Sequence, residues 1–146
     1  MKLLNSLQPL SLLLLRAALA LIFIYHGYPK LVHANEGMRE FFLLHGLPAY
    51  FVSVAGILEC FGSLLLFVGL FTRVAALLLA AEMAVAIWKV HSIHGAMAVK
   101  EYEFPLAVAA ACFALATVGA GSLSIDSLFL GDTNTKRRKS VRSSRD

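Results

Sequence analysis

Pro9–Tyr28 reads PLSLLLLRAALALIFIYHGY, an apolar run interrupted by one charge, Arg16. At about 1.5 Å of rise per residue a helix of this length reaches across the hydrocarbon of a bilayer. No water is present there, so each backbone group must be paired inside a helix or a closed barrel. The run has no strict alternation, which selects the helix. Lys2, the apolar stretch and Ala18-Leu19-Ala20 imitate a secretory signal, but Arg16 breaks its core and the hydrophobicity continues to Tyr25, so the stretch reads as a first span.

Three further runs qualify, at about Ala49–Leu70, Val74–Val90 and Phe104–Ala120. Pro29, Gly46-Leu47-Pro48 and Gly69 to Arg73 punctuate them. Between the first two, Glu36, Arg39 and Glu40 share one helical face and Met38, Phe41 and Phe42 the other, with Asn35 placed to cap. The expected fold is an all-α membrane protein: a four-transmembrane-helix bundle with a short interfacial helix between spans 1 and 2. Composition agrees, with 59% apolar and 15% charged residues in 146 and a mean hydropathy of +0.75. Residues 1–131 form the transmembrane domain. Residues 132–146 are basic and poor in apolar side chains, and read as a disordered cytosolic tail.

Lys2, Arg73 and the tail's Lys136, Arg137, Arg138, Lys139, Arg142 and Arg145 fall on the side of both termini. The positive-inside rule makes that side the cytosol of a plasma-membrane, multi-pass protein. Topology and anionic lipid explain the basic tail, and specific nucleic-acid binding is not expected. Cys60 and Cys112 lie singly inside spans, without metal or disulfide spacing, and read as small packing residues.

Charge inside the spans carries the functional signal, because such groups are costly, face the interior and find partners. Counted from the outer ends of their spans, Arg16, Glu59 and Glu82 reach nearly one depth, and Arg16 is expected to pair with Glu59. Phe23 and Gly27 share the Arg16 face, with Lys30 close to it. Val52, Gly62, Ser63 and Leu66 surround Glu59, and Ala86 and Lys89 lie near Glu82. Toward the outer mouth stand His26, His33, His45, His91 and His94. The candidates for ligand binding or proton relay are Arg16, His26, Lys30, Glu59, Glu82 and Lys89. His26 and Lys30, at the mouth, are expected to be replaceable without loss of folding. His91 and His94 stand three apart but lack a further ligand at metal spacing, so no metal site is expected. The residues leave two readings open: a buried pair that only fixes register, or a pocket for a polar head group.

His26-Gly27-Tyr28-Pro29-Lys30-Leu31 resembles the His-Gly-x-x-Lys-Leu signature of DoxX-family membrane proteins, and Arg16 fits the arginine of their first span. Gly46-Leu47-Pro48, Glu59 with Gly62, Gly69 to Arg73 with Ala75, and Gly119-Ala120-Gly121 with Ser124 and Asp126 continue the resemblance over about Leu10 to Ser127. Ala120 stands where the family often has proline, and Glu82 is not carried over from its pattern. The resemblance implies a four-helix fold and, through an archaeal thiosulfate:quinone oxidoreductase subunit, a quinone-linked membrane redox system. A quinone would be bound non-covalently at the Arg/Glu seam, with electrons from a redox partner protein or a diffusible reductant. No nucleotide loop, haem pair, flavin fingerprint or cluster cysteines are present. A non-catalytic scaffold or assembly subunit, and an oligomeric small-molecule or proton carrier, are the alternatives. A homo-oligomer is compatible with the Gly-rich second span.

Overall fold

The computed structural model describes residues 2–33, 36–91 and 99–130, all helical or connecting, with no strand among them. The helices are α1 (Lys2–Val32), α2 (Glu36–Leu44), α3 (Phe51–Val68), α4 (Thr72–Ala86), α5 (Val99–Val118) and α6 (Ile125–Leu130). A π-helical turn, Ile87–His91, continues α4. The tail from residue 132, Asn35 and His94 lie outside the described residues, as do the side chains of His91 and Glu101.

Helices α1 and α3 pack along each other, α3 meets α4 through a tight turn, and α4 packs along α5. Arg73, at the start of α4, reaches the Val118 carbonyl at the end of α5, and Arg16 of α1 reaches the segment after α5. The four long helices therefore form a ring in which each runs antiparallel to its neighbours. Their shared core is Leu19, Ala20, Phe23, Leu66, Ala75, Ala76, Leu79, Val108, Cys112 and Leu115. On α1 the buried Arg16, Leu19, Ala20, Phe23 and Gly27 recur at helical spacing, and on α3 Val52, Gly56, Glu59, Gly62, Ser63 and Leu66 do so. These are the faces expected from the sequence.

Ser6–Val32 and Phe51–Val68 are long and apolar enough to cross a membrane, and Tyr102–Val118 is a shorter apolar helix. Three boundaries differ most from expectation: both ends of α1, and the start of α5, which begins at Val99, five residues before Phe104. Pro29 does not end α1, which runs one turn further; that turn is held by packing of Lys30 and Leu31 against the α3 backbone at Gly56. Its N-terminus starts at Lys2, well before Pro9. Helix α2 forms as predicted and buries none of its residues.

The α3–α4 turn is built from its backbone. Gly69 takes a left-handed conformation (φ 77°) and its N–H, with that of Leu70, bonds to the Leu65 carbonyl. Phe71 follows at φ 49°, a strained value for a side chain that large. The Asp126 carboxylate offsets the strain by accepting the N–H groups of Phe71 (2.7 Å) and Thr72 (2.9 Å) at the start of α4. Helix α6, which the sequence reading did not include, begins one residue before Asp126 and positions it.

Candidate functional site

Glycines set the register that brings the charges together. A Cβ on Gly27 would stand 2.7 Å from the Cβ of Glu59, and one on Gly56 would stand 3.0 Å from the Cβ of Lys30. Each small residue thus faces a charged one across the α1–α3 interface. Lys30 reaches both carboxylate oxygens of Glu59, at 2.7 and 2.8 Å. The Glu59 side chain is 2% exposed and that of Lys30 24%, so the pair is closed on the carboxylate side and open on the ammonium side. An ammonium has three N–H donors, and Glu59 takes two.

The open side faces a cavity of about 350 Å³ between α1, α3, α4 and α5. Ile22, Phe23, His26, Lys30, Glu59, Met83, Phe104, Pro105 and Val108 line it. His26 lies 2.9 Å from the Ile22 carbonyl through Nδ1. A carbonyl can only accept, so Nδ1 carries the hydrogen and Nε2 is left for other partners. The imidazole packs against the Phe104 ring at 5.9 Å between centroids. The mouth therefore offers an aromatic wall, an ammonium and an imidazole within one mostly apolar chamber.

Glu82 sits at the height of Glu59. Glu59 lies eleven residues before Leu70 and Glu82 eleven after Phe71, so the hairpin brings them level, and the contact of Leu79 with Gly62 has the same register. Oε2 of Glu82 is buried without a hydrogen-bond partner among the described residues. Lys89, in the π-helical turn, stands beyond the cavity. Its ammonium lies over the Trp88 ring at 5.0 Å and near the loop at Gly46, where a Cβ would be 3.9 Å from Nζ. Among the other histidines, His33 packs on Tyr28, and His45 packs on Phe41 and bonds to its carbonyl.

Arg16 is not part of this constellation. Its guanidinium donates from Nη1 to the Ala120 carbonyl (2.6 Å) and from Nη2 to the Leu123 carbonyl (2.7 Å), and the residue is 1% exposed. Fourteen residues separate it from Lys30 on α1, about 21 Å of helix. The expected Arg16–Glu59 pair is therefore replaced by Lys30–Glu59. The depths counted from the sequence were measured from a first span that ended at Tyr28; the extra turn of α1 and its glycine-set register lower Arg16 to the level of Gly69. There Arg16, Gly69, Ser124 and Asp126 form a clasp: Nη1 would be 2.8 Å from a Cβ on Gly69, and the Asp126 N–H bonds to the Gly69 carbonyl (2.8 Å). The pairing argues against the expectation that Lys30 is structurally replaceable, since its removal would leave Glu59 buried without this partner.

The sequence reading missed Met83, Phe104 and Pro105 as cavity residues and Asp126 as a helix cap. The complementary order Gly27, Lys30 on one helix and Gly56, Glu59 on the other was a usable signal: only an antiparallel register sets both small residues against large ones.

The DoxX family model matches residues 11–92 of the chain, a stretch that includes Arg16, the His26 to Lys30 motif, Glu59 and Glu82. The chain is 32% identical over 131 residues to the "Putative oxidoreductase CatD" of Bacillus subtilis (strain 168), across 89% of this chain and 96% of that protein. It is 40% identical over 88 residues to an "Uncharacterized protein" of Haemophilus influenzae; the match takes in 60% of this chain and 64%, under two thirds, of that relative. No solved structure matches the chain.

Proposed function

Because the chain belongs to the DoxX family, we propose that it is a multi-pass plasma-membrane protein, with both termini cytosolic, that binds a quinone or similar lipophilic molecule in the Lys30–Glu59 cavity as the membrane subunit of a redox system. Helices α1, α3 and α5 are the first, second and fourth spans. Helix α4 with its π-helical turn is the third, twenty residues from Thr72 to His91. The carrying observation is the Lys30 ammonium, fixed by a buried carboxylate on the wall of a cavity with aromatic and apolar sides.

The chemistry matches such a ligand. A quinone ring is flat and apolar with two carbonyl acceptors, and its tail belongs in lipid. Lys30 supplies an N–H to one carbonyl, Phe23 and Phe104 supply ring contacts, and His26 stands at the mouth. A volume of about 350 Å³ lies at the small end of ligand sites, which run from about 300 to 1,000 Å³. The name of the Bacillus subtilis relative supports a redox setting. Electrons would come from a partner protein or a diffusible reductant, and a homo-oligomer is compatible with the apolar outer surface.

The test is the melting temperature of the purified full chain with and without a short-chain quinone. Ligand at a hundred times its Kd stabilises by about 2.7 kcal/mol, which is readily measured. The native protein should shift upward. His26→Ala and Phe104→Ala should melt near the native temperature without ligand and shift less with it. No shift in the native protein at any soluble concentration would remove the quinone reading and leave a scaffold role for the charged pair.

A further inference from the structure

One ammonium and one carboxylate, Lys30 and Glu59, line the cavity, and a second carboxyl group, Glu82, stands beside them. Lys30 from α1, Glu59 from α3 and Glu82 from α4 lie at one height, and Glu82 is within electrostatic reach of both others. Lys30 gives both of its hydrogen bonds to Glu59. Glu82 has one oxygen buried with no partner among the described residues. One ammonium neutralises one carboxylate, and a second carboxylate left ionised here, with one oxygen buried and unpaired among the described residues, would be an uncompensated charge in apolar surroundings, a costly state. Among the facing groups, His26 on α1 stands nearer Glu59, in the cavity mouth. Helix α3 adds Cys60, and α4 adds Lys89 two turns away. Helix α5 contributes Phe104, Pro105 and Val108 and, one turn deeper, Cys112. No second cation among the described residues lines the cavity beside Glu82.

We propose that Glu82 holds the excess proton of the Lys30–Glu59–Glu82 cluster and is the residue that exchanges it with the cavity. Met83, its neighbour in sequence, lines the cavity, as Lys30 does, and Lys30 is within electrostatic reach of Glu82. Transfer of that proton breaks the Glu82 O–H bond and forms one on an oxygen of the ligand or of a water in the chamber; Lys30 then faces two carboxylates and stabilises the new charge on Glu82. Return of a proton restores the neutral acid. The step moves a proton only and needs no oxidant or reductant. It deepens the ligand reading of the same cavity, which it takes as its setting, by giving that cavity its proton donor and acceptor.

The experiment is infrared spectroscopy of the full chain in lipid nanodiscs, without ligand, in H₂O and D₂O. The native protein should show the carbonyl stretch of a protonated carboxylic acid, and the band should move on transfer to D₂O. Glu82→Gln carries the same charge and shape as the neutral acid, so it should fold and melt like the native protein and lack the band. In Glu59→Gln the lysine has one carboxylate left, so Glu82 should ionise and the band should vanish there too. A native protein without the band, a band that does not respond to D₂O, or one that persists in Glu82→Gln would overturn the assignment. Because no ligand is added, a failed quinone shift beside a positive infrared result would overturn only the identity of the ligand.

Discussion

Glu59 accepts two hydrogen bonds from a single ammonium in a place where water reaches almost none of it, so neither residue of the pair can be changed alone without harm. Lys30→Met and Glu59→Leu should each cost about 3 to 5 kcal/mol, while the double replacement should be nearly neutral. Thermal melts of the four proteins in one detergent check this; a double variant as unstable as either single one would contradict direct coupling. Gly27 is bound to the same pair by space. An added methyl would enter the Cβ of Glu59 at 2.7 Å and Sγ of Cys60 at 3.0 Å, so Gly27→Ala should cost about 1 to 3 kcal/mol by separating α1 from α3. At this scale the sequence was legible as far as helical phase carries: Glu59, Gly27 and Phe23 all face inward as their spacing says. Which charges meet was not legible, because phase fixes the direction of a side chain around its own axis, whereas partners depend on sliding along it. Arg16 shows the consequence, since its inward face was right and its partner wrong.

Helix α4 starts at a residue pair whose N–H groups no side chain in its own first turn satisfies. Asp126, more than fifty residues later, closes that end, and Arg16 ties the intervening carbonyls of Ala120 and Leu123 to α1. The carboxylate also complements the positive end of the α4 dipole. Asp126→Ala should lower stability by about 0.5 to 2 kcal/mol, the range for loss of a helix cap. It should also speed hydrogen exchange at the Phe71 and Thr72 amides more than at Leu79; uniform exchange across α4 would show that the cap is not local. Arg73 works at the opposite helix end, donating to the Val118 carbonyl (3.3 Å) where a cation suits the C-terminus of α5. The long helices themselves were legible because each carries a long apolar run with at most one or two charges inside it. The clasp was not, because Gly69 read as a turn and Gly119, Gly121, Ser124 and Asp126 as a motif of the resemblance without a stated contact, and their mutual contact exists only after four helices have packed.

Taken whole, the molecule is apolar on its outside as well as in most of its core, with a few polar groups enclosed. Its interior encloses Arg16, Glu59, Ser63 and Thr72, while Leu21, Ile57, Leu64, Phe67, Leu77 and Phe113 stand exposed around the outside. Such a surface loses free energy in water and none in hydrocarbon, and the polar groups inside are those that lipid could not satisfy. In the proposed arrangement Leu64 faces the acyl chains, and an arginine there would cost about 2.5 to 3.5 kcal/mol on insertion scales. Leu64→Arg should therefore reduce membrane-inserted protein sharply, whereas Glu40→Arg on the polar face of α2 should leave it unchanged. The direction of insertion is a separate question with its own measurement. The Arg16 clasp and the cavity lie at opposite ends of the ring, with Arg73 at the clasp end and the loop that carries Glu36 at the cavity end. Arg73 stands at the clasp end, and in sequence Lys2 precedes the stretch that reaches it and six basic residues follow Thr135 after α6, so by the positive-inside rule that end should remain in the cytosol and the cavity should open toward the outer leaflet. A reporter that works only in the cytosol should be active when fused after Asp146, and cysteines placed at Glu36 or Lys100 should react with an impermeant thiol reagent in intact cells. Protection of both positions, together with an inactive C-terminal reporter, would invert the molecule and send the cavity's ligand and its proton to the cytosolic face instead.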